Sequence, residues 1–485
     1  MNDDPLAPLS PGTLFSLLRR SRYVQLLLAL TLISAFLRFY NLGFNSLWLD
    51  EASTYTISKG SFLEIWQVTA GGEFNPPLFY WTEHIMLMFG NSEVILRLIP
   101  ALLGVFTIPL VYFIGKEFLD RNTGIIAAAF CTFSPFLIFF SQEARAYSMM
   151  LFFIAFAMVF YLKALKTNDI KHWAIFGFLS ALAFWSHFYA LVMIGSLVLY
   201  GLYELVPKIR KDISTVRPIA AGGVVFGLIC LPLIIIMIQL FAKRTASAPT
   251  FGIQGLGIIT ETFIQISGFS ERFYYFSFLP LMILFFLGIY QAFSLDKNKG
   301  IFLVSITVLT FLISDFLSYR IPMLPRYLIF LTIIFFLGVA LSYRLFWTLS
   351  NSKAIVYGFI VFAFIISAPA LVTYYSGYSK EDWRGFSGQI SQLTRPGDLV
   401  VVAPGYIYQP FDFYYTNSTD GTIEFHADTA RDFDAIHLQK GNNTMYIVVT
   451  SDIVSANPNG DAVAWIQGHT HSVTQNTGIY LFASS

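Results

Sequence analysis

Long apolar runs separated by short polar breaks fill most of the chain. The runs 22–40, 94–115, 123–141, 147–165, 172–187, 188–206, 218–241, 274–294, 301–318, 326–346 and 354–375 each approach the ~20 residues that a membrane-crossing helix needs. The stretch 172–206 is read as two spans, because His187 interrupts it and about 35 residues exceed one crossing. Segment 77–90 is apolar but only about 14 residues long, and it carries Glu83 and His84. A stretch of that kind suits the membrane surface better than its interior. Beyond residue 375 the pattern changes. Residues 380–393 are amphipathic at helical spacing, and 399–402, 421–426, 445–450 and 478–483 read as short strands. Helical stretches at 430–439 and 461–467 alternate with them, which predicts a small α/β domain.

Charge orients this arrangement. Lys and Arg collect in cytoplasmic loops. Arg19, Arg20 and Arg22 place the N-terminus inside. With 77–90 lying on the outer surface, the basic loops around Lys116, Lys166, Lys208, Lys297 and Arg344 all fall inside as well. The expectation is eleven spans, a cytoplasmic N-terminus and an extracytoplasmic tail at the cell membrane. Residues 1–375 form the membrane domain, with a large outer loop at 41–93, and 376–485 form the outer α/β domain. Asn417-Ser418-Thr419 and Asn442-Asn443-Thr444 fit the glycosylation acceptor pattern.

Composition agrees. Of 485 residues, 56% are hydrophobic and only 12% charged, against about 25% charged in soluble domains. A net charge of +1 gives no surface for nucleic acid. The two cysteines, Cys131 and Cys230, both fall in expected spans, which argues against a disulfide framework or a cysteine metal site. No small-residue cleavage site follows the first apolar run, which is therefore read as a retained span.

Chemistry gathers where the topology puts the outer face. Trp48-Leu49-Asp50-Glu51 sets two acids just after the first span. An acid at a membrane mouth can take a proton from an acceptor hydroxyl; its plain alternative is to cap a helix. Asn75-Pro76-Pro77-Leu78 opens the surface segment, with free N–H groups at the helix start. Ser141-Gln142-Glu143-Ala144-Arg145-Ala146-Tyr147 is a charged hairpin between two spans, and Pro325-Arg326-Tyr327 opens a later span. Arginine suits a phosphate because its fork binds oxygens in pairs, while Arg97 or Arg326 could equally reach lipid headgroups. His187 lies at an outer corner and reads as an ordinary interfacial histidine. No His and Asp spacing is diagnostic of a metal.

Leu49-Asp50-Glu51-Ala52, Asn75-Pro76-Pro77-Leu78-Phe79-Tyr80, Arg97 and Ser141–Tyr147 occur in an order that resembles the GT-C membrane glycosyltransferases. The similarity is to the branch of protein O-mannosyltransferases and aminoarabinose transferases (glycosyltransferase family 39-like). Arg326-Tyr327 and Asp382-Trp383-Arg384 resemble its prokaryotic members. Asn75 departs from the pattern, which usually has His before the two prolines. The resemblance implies a GT-C fold and an inverting sugar transfer from a polyprenyl- or dolichyl-phosphate donor, at the outer face, to a glycan, protein or lipid acceptor. It implies Asp50 as general base, Glu51 and Glu143 in the catalytic pocket, and Arg145 and Arg326, with Arg97, at the donor phosphate. Trp48, Asn75, Tyr147, His187 and Tyr327 are the expected lining. No cofactor is implied, and the question of a divalent metal is left open. The rival classes are a transporter or flippase of lipid-linked sugars, which should bury ionisable groups at mid-span, and a non-catalytic membrane subunit, which should have lost the acids.

Overall fold

The computed structural model describes residues 21–73, 75–245, 249–268, 274–350, 352–415 and 421–484. Arg19, Arg20 and the Asn417 acceptor sequence lie outside them. Among the described residues, nine helices are long and apolar enough to cross a membrane, as in a multi-pass membrane protein. A tenth crossing results if Arg121–Phe133 and Pro135–Ser141, bent by 61°, are one broken span. The eleventh expected crossing is Ile170–Ser186, whose 17 residues stand at the short end of the range for a membrane-crossing helix. Segment 77–90 is a ten-residue helix, Pro77–Met86, followed by a 3-10 turn, Leu87–Phe89, and is not among the crossing helices.

The chain divides into two compact units and passes between them five times. The first holds residues 1–40, 64–82 and 98–373. Its helices bury a continuous apolar core that includes Ile125, Phe130, Met158, Phe302 and Phe336. The broken helix shows how sequence sets local structure here. Pro135 has no N–H to give Cys131 O, so the ladder stops, and Ser134 caps the new start by accepting from Leu137 N (3.3 Å). Arg38, in the last turn of Arg22–Phe39, takes over the orphaned carbonyls: Nη2 donates to Cys131 O (3.2 Å) and Nη1 to Thr132 O (3.3 Å). The arginine is 1% exposed and also reaches Ser34 and Ser141. Gly104 permits this approach, since an added Cβ would overlap Ser141 Oγ and press on Arg38 Nε.

The second unit holds 41–63, 83–97 and 374–485. Two pieces of the first expected outer loop thus cluster with the tail. Its sheet has the order β2-β1-β3-β5-β4, with β1 Leu399–Ala403, β2 Ile423–His426, β3 Met445–Thr450, β4 His471–Asn476 and β5 Ile479–Ser484. β1 pairs parallel with β2 and β3, and β5 runs antiparallel to β3 and β4. Alternate residues of β1 and β3 feed two cores. Val401 and Ile447 pack with Phe433, Ile436 and Trp465 on one face. Val402 and Val448 pack with Trp383, Phe386 and Phe411 on the other. This is a three-layer α/β arrangement. The four expected strands and the helices at 383–393, 430–437 and 461–469 are present. β4 and the helix Tyr408–Tyr415 were not expected.

Candidate active site

In the second unit, Asp50 and Glu51 occupy the first turn of the helix Leu49–Ser58. The residue flanking its start is Trp48, which makes no side-chain cap. Asp50 is therefore not the helix cap; it is the second helical residue, where a carboxylate favours the helix dipole. The two acids differ in environment. Glu51 is fully buried and Asp50 is half-buried. Glu51 receives a bidentate grip from Arg97: Nε to Oε1 and Nη2 to Oε2, both 2.7 Å. Lys380 Nζ adds a second cation on Oε2 at 2.9 Å and stands 5.9 Å from the Trp48 ring centre.

Arg97 is a closed system. Its remaining donors go to the carbonyls of Leu42, Asn45 and Ser46 at 2.8–3.0 Å. All five N–H groups are thus used within the chain, and none is left over for a phosphate. Glu83, on the helix Pro77–Met86, is buried with no hydrogen-bond partner for either carboxyl oxygen among the described residues. Burial, and the negative charge of Glu51, raise its pKa well above the ordinary carboxyl value.

In the first unit a second cluster forms around Arg145 and Arg326. The hairpin 141–147 is buried rather than wet: Glu143, Ala144 and Tyr147 are each 1% exposed or less. Apolar packing of Ala146 and Met149 against Phe79 carries it inward. Tyr147, His187 and Tyr327 form an aromatic group, with ring centres 5.5 Å apart for His187 and Tyr327 and 5.6 Å for Tyr147 and His187. Tyr189 stacks on Tyr327 at 4.6 Å, and its hydroxyl donates to Pro322 O. The Arg326 guanidinium, on the 3-10 turn Pro325–Leu328, lies 5.7 Å from the Tyr327 ring centre and 6.0 Å from that of Tyr147.

His187 stands past the end of Ile170–Ser186. Burial, then the positive charges of Arg145 and Arg326, push its pKa down to about 3. It is neutral at physiological pH. Its Nδ1 accepts from Tyr189 N (3.3 Å), which leaves the ring proton on Nε2. Asn75 is buried and lies in a small polar group with Glu73 and Tyr80; the Tyr80 hydroxyl donates to Glu73 Oε1 at 3.0 Å. Burial and Glu73 raise the Tyr80 pKa, and Arg145 opposes them.

The structure therefore groups Trp48, Asp50, Glu51 and Arg97 in one unit. It groups Tyr147, His187, Arg326 and Tyr327 in the other, within the electrostatic reach of Arg145. Sequence reasoning missed Lys380, Glu83, Glu73 and Tyr80. Nothing local in the sequence marks Lys380, since it meets Glu51 across 329 residues of chain. Among the described residues, no group of three or more His, Cys, Asp or Glu side chains is placed to hold a metal ion.

A family model for dolichyl-phosphate-mannose-protein mannosyltransferase matches residues 75–236. An uncharacterized protein from Aquifex aeolicus (strain VF5) is 32% identical over 130 residues, which span only about a quarter of either chain (25% of this one and 26% of that one). Two crystal structures of ArnT from Cupriavidus metallidurans are similar at 15% identity. The apo state covers 95% of this chain and 97% of its own, with a TM-score of 0.60. The form bound to undecaprenyl phosphate covers 95% and 98%, at 0.55. The Archaeoglobus fulgidus oligosaccharyltransferase tethered to an acceptor peptide is 12% identical, covering 97% of this chain and 75% of its own at a TM-score of 0.55. By its fold this chain is a GT-C membrane protein, and it resembles the protein O-mannosyltransferase and ArnT branch of that fold.

Proposed function

We propose that this protein is a membrane glycosyltransferase that moves a sugar from a polyprenyl-phosphate donor to an acceptor hydroxyl outside the cytoplasm, with inversion, and with Asp50 as general base. The observation that carries this reading is the inequality of the two adjacent acids. Glu51 is held by two cations and has no part left for proton transfer. Asp50, one residue away on the same helix turn, is only half-buried. Support comes from the family segment at 75–236 and from the ArnT form that carries undecaprenyl phosphate.

In this reading Asp50 takes the proton from the acceptor oxygen as that oxygen attacks the anomeric carbon. The bond from that carbon to the phosphate oxygen breaks, and polyprenyl phosphate leaves with the electron pair. Arg145 and Arg326 offset the phosphate charge, and the Nε2–H of neutral His187 donates to it. Glu143, Asn75, Tyr147 and Tyr327 shape the surroundings of the donor phosphate, and Trp48 stands beside Asp50. Arg97 serves Glu51 and not the phosphate. An apolar groove bordered by Tyr189, Val192, Met237, Leu317 and Pro322 adjoins the aromatic group and suits an isoprenoid chain. In this reading the N-terminus is cytoplasmic and the α/β domain extracytoplasmic, an orientation that the basic loops support.

The test is transfer by the purified protein from a panel of short-chain polyprenyl-phosphate sugars, with the anomeric configuration of the product read by NMR. Mass spectrometry of envelope glycans, proteins and lipids, with and without the gene, names the acceptor. Donor crossing vesicles without product formation would replace this reading with a flippase.

A further inference from the structure

Glu51 is more heavily compensated than a buried carboxylate needs. Arg97 alone supplies a bidentate pair at 2.7 Å on both oxygens. Lys380 then adds a second positive charge at 2.9 Å, with its side chain only 7% exposed and Glu51 at 0%. Burying an ammonium is expensive, and a single well-made pair already satisfies the acid. The extra cation therefore calls for a role beyond neutralising Glu51.

Its neighbours supply one. Lys380 is the centre of a seam along which the start of the tail grips residues 43–51. Ser379 N donates to Asn45 Oδ1 (2.9 Å), and Arg384 N donates to Ser46 Oγ (3.1 Å). Ser46 Oγ in turn donates to Asp382 Oδ1 (3.3 Å). Leu47 N donates to the Tyr414 hydroxyl at 2.8 Å, which donates to Glu93 Oε1 at 2.7 Å. Along this seam Lys380 makes an ion pair to the acidic turn itself; Arg384 makes its own to Glu93. Without Lys380, Glu51 keeps Arg97, but the turn bearing Asp50 loses its ionic tie to the tail.

We propose that Lys380 is a positioning residue for Asp50: by holding Glu51 Oε2 it fixes the first turn of Leu49–Ser58 in the orientation that presents the Asp50 carboxylate. This rests on the function proposed above. It makes the α/β tail a working part of the acidic site and not an appendage. Misplacing a reacting group by about 1 Å costs on the order of 10²-fold in rate.

The experiment uses the full chain in nanodiscs with Lys380→Met, which keeps the apolar stem, and Lys380→Arg, which keeps the charge. Steady-state transfer from a short-chain polyprenyl-phosphate sugar is measured beside hydrogen exchange of the amides at 46–58. The expected result for Lys380→Met is a fall in kcat of about 10- to 100-fold with donor KM little changed. Exchange should quicken at 46–58 but not in β1 and β3. Lys380→Arg should recover most of kcat. In a Glu51→Gln background Lys380→Met should quicken exchange no further, because the lysine acts through Glu51. Unchanged exchange at 46–58, or loss of protection throughout the sheet together with activity, overturns the proposal. If the wild-type protein transfers no sugar while Lys380→Met still loosens 46–58 in a Glu51-dependent way, the glycosyltransferase reading fails and the grip on the acidic turn stands.

Discussion

The acidic cluster and the arginine cluster handle charge in opposite ways. In the first, Arg97 and Lys380 meet the fully buried Glu51 at 2.7–2.9 Å, and every N–H of Arg97 has an acceptor in the chain. In the second, the Arg326 guanidinium rests over two tyrosine rings at 5.7–6.0 Å, and His187 is held neutral by burial and then by positive charge. Bidentate buried pairs hold geometry and are costly to break. A cation over an aromatic face gains a weaker attraction, about 0.5–2 kcal/mol. In the proposed reading the difference separates residues that hold the acidic turn from residues that meet the donor phosphate. It also shows why arginine content alone is a poor guide, since Arg97 and Arg326 look alike in the sequence.

The largest effect tests Asp50, the proposed general base. Asp50→Asn should reduce transfer by about 10²–10⁴-fold while expression and melting temperature hold. An amide has nearly the same shape but accepts no proton at neutral pH. Substantial activity in the purified variant removes Asp50 as the base.

Arg97→Ala and Arg326→Ala break the comparison if they behave alike. Removing one partner of a buried pair costs about 3–5 kcal/mol. Arg97→Ala should therefore lose stability in thermal or denaturant unfolding and fail to accumulate. Arg326→Ala should fold and lose activity only. Equal stability in the two variants would show that Arg97 is not structural.

A smaller effect sharpens the binding side. Arg326→Lys keeps the charge and loses the fork. Roughly a 10- to 100-fold lower kcat is expected, with a smaller change in apparent donor affinity, because one hydrogen bond to a developing charge is worth about 1.5–3 kcal/mol. A residue that merely reaches headgroups tolerates lysine, so wild-type rates for Arg326→Lys and Arg326→Ala would take it out of the site.

How much of this was legible in the sequence depends on the range of the interaction. The crossing helices and β1, β3 and β5 are written in apolar runs and alternation, which are local. β4 (His471-Ser472-Val473-Thr474-Gln475-Asn476) is a largely exposed edge strand, so no buried face imposes a pattern on it. The break at Ser134-Pro135 was present in the sequence but lay inside an apolar run that read as one span. The acids were visible as a pair, and their inequality was not, because it is decided by Arg97 and Lys380 from far along the chain. The same holds for His187, which looked like an interfacial histidine until burial and two arginines made it neutral.

The smallest expected effect concerns Glu83, which tests whether the acidic cluster really is closed to further charge. Glu83 is buried and unpaired among the described residues, and burial, with Glu51 nearby, raises its pKa well above the ordinary 4.5. The folded chain thus keeps a proton that the unfolded chain loses near pH 4.5. The stability linked to that proton is fully present below the unfolded value. It declines as pH rises toward the raised folded value, by at most about 1.4 kcal/mol per pH unit for one proton. Glu83→Gln keeps the shape and cannot ionise, so it should remove this decline. The variant should match wild type near pH 4 and exceed it in melting temperature at pH 7–8. Arg97 and Lys380 are the cations of this cluster, and both are engaged with Glu51; neither is expected to draw a charge onto Glu83. Parallel pH–stability curves for wild type and Glu83→Gln would mean that Glu83 ionises in the fold. The cluster would then hold a second carboxylate that its two cations must share.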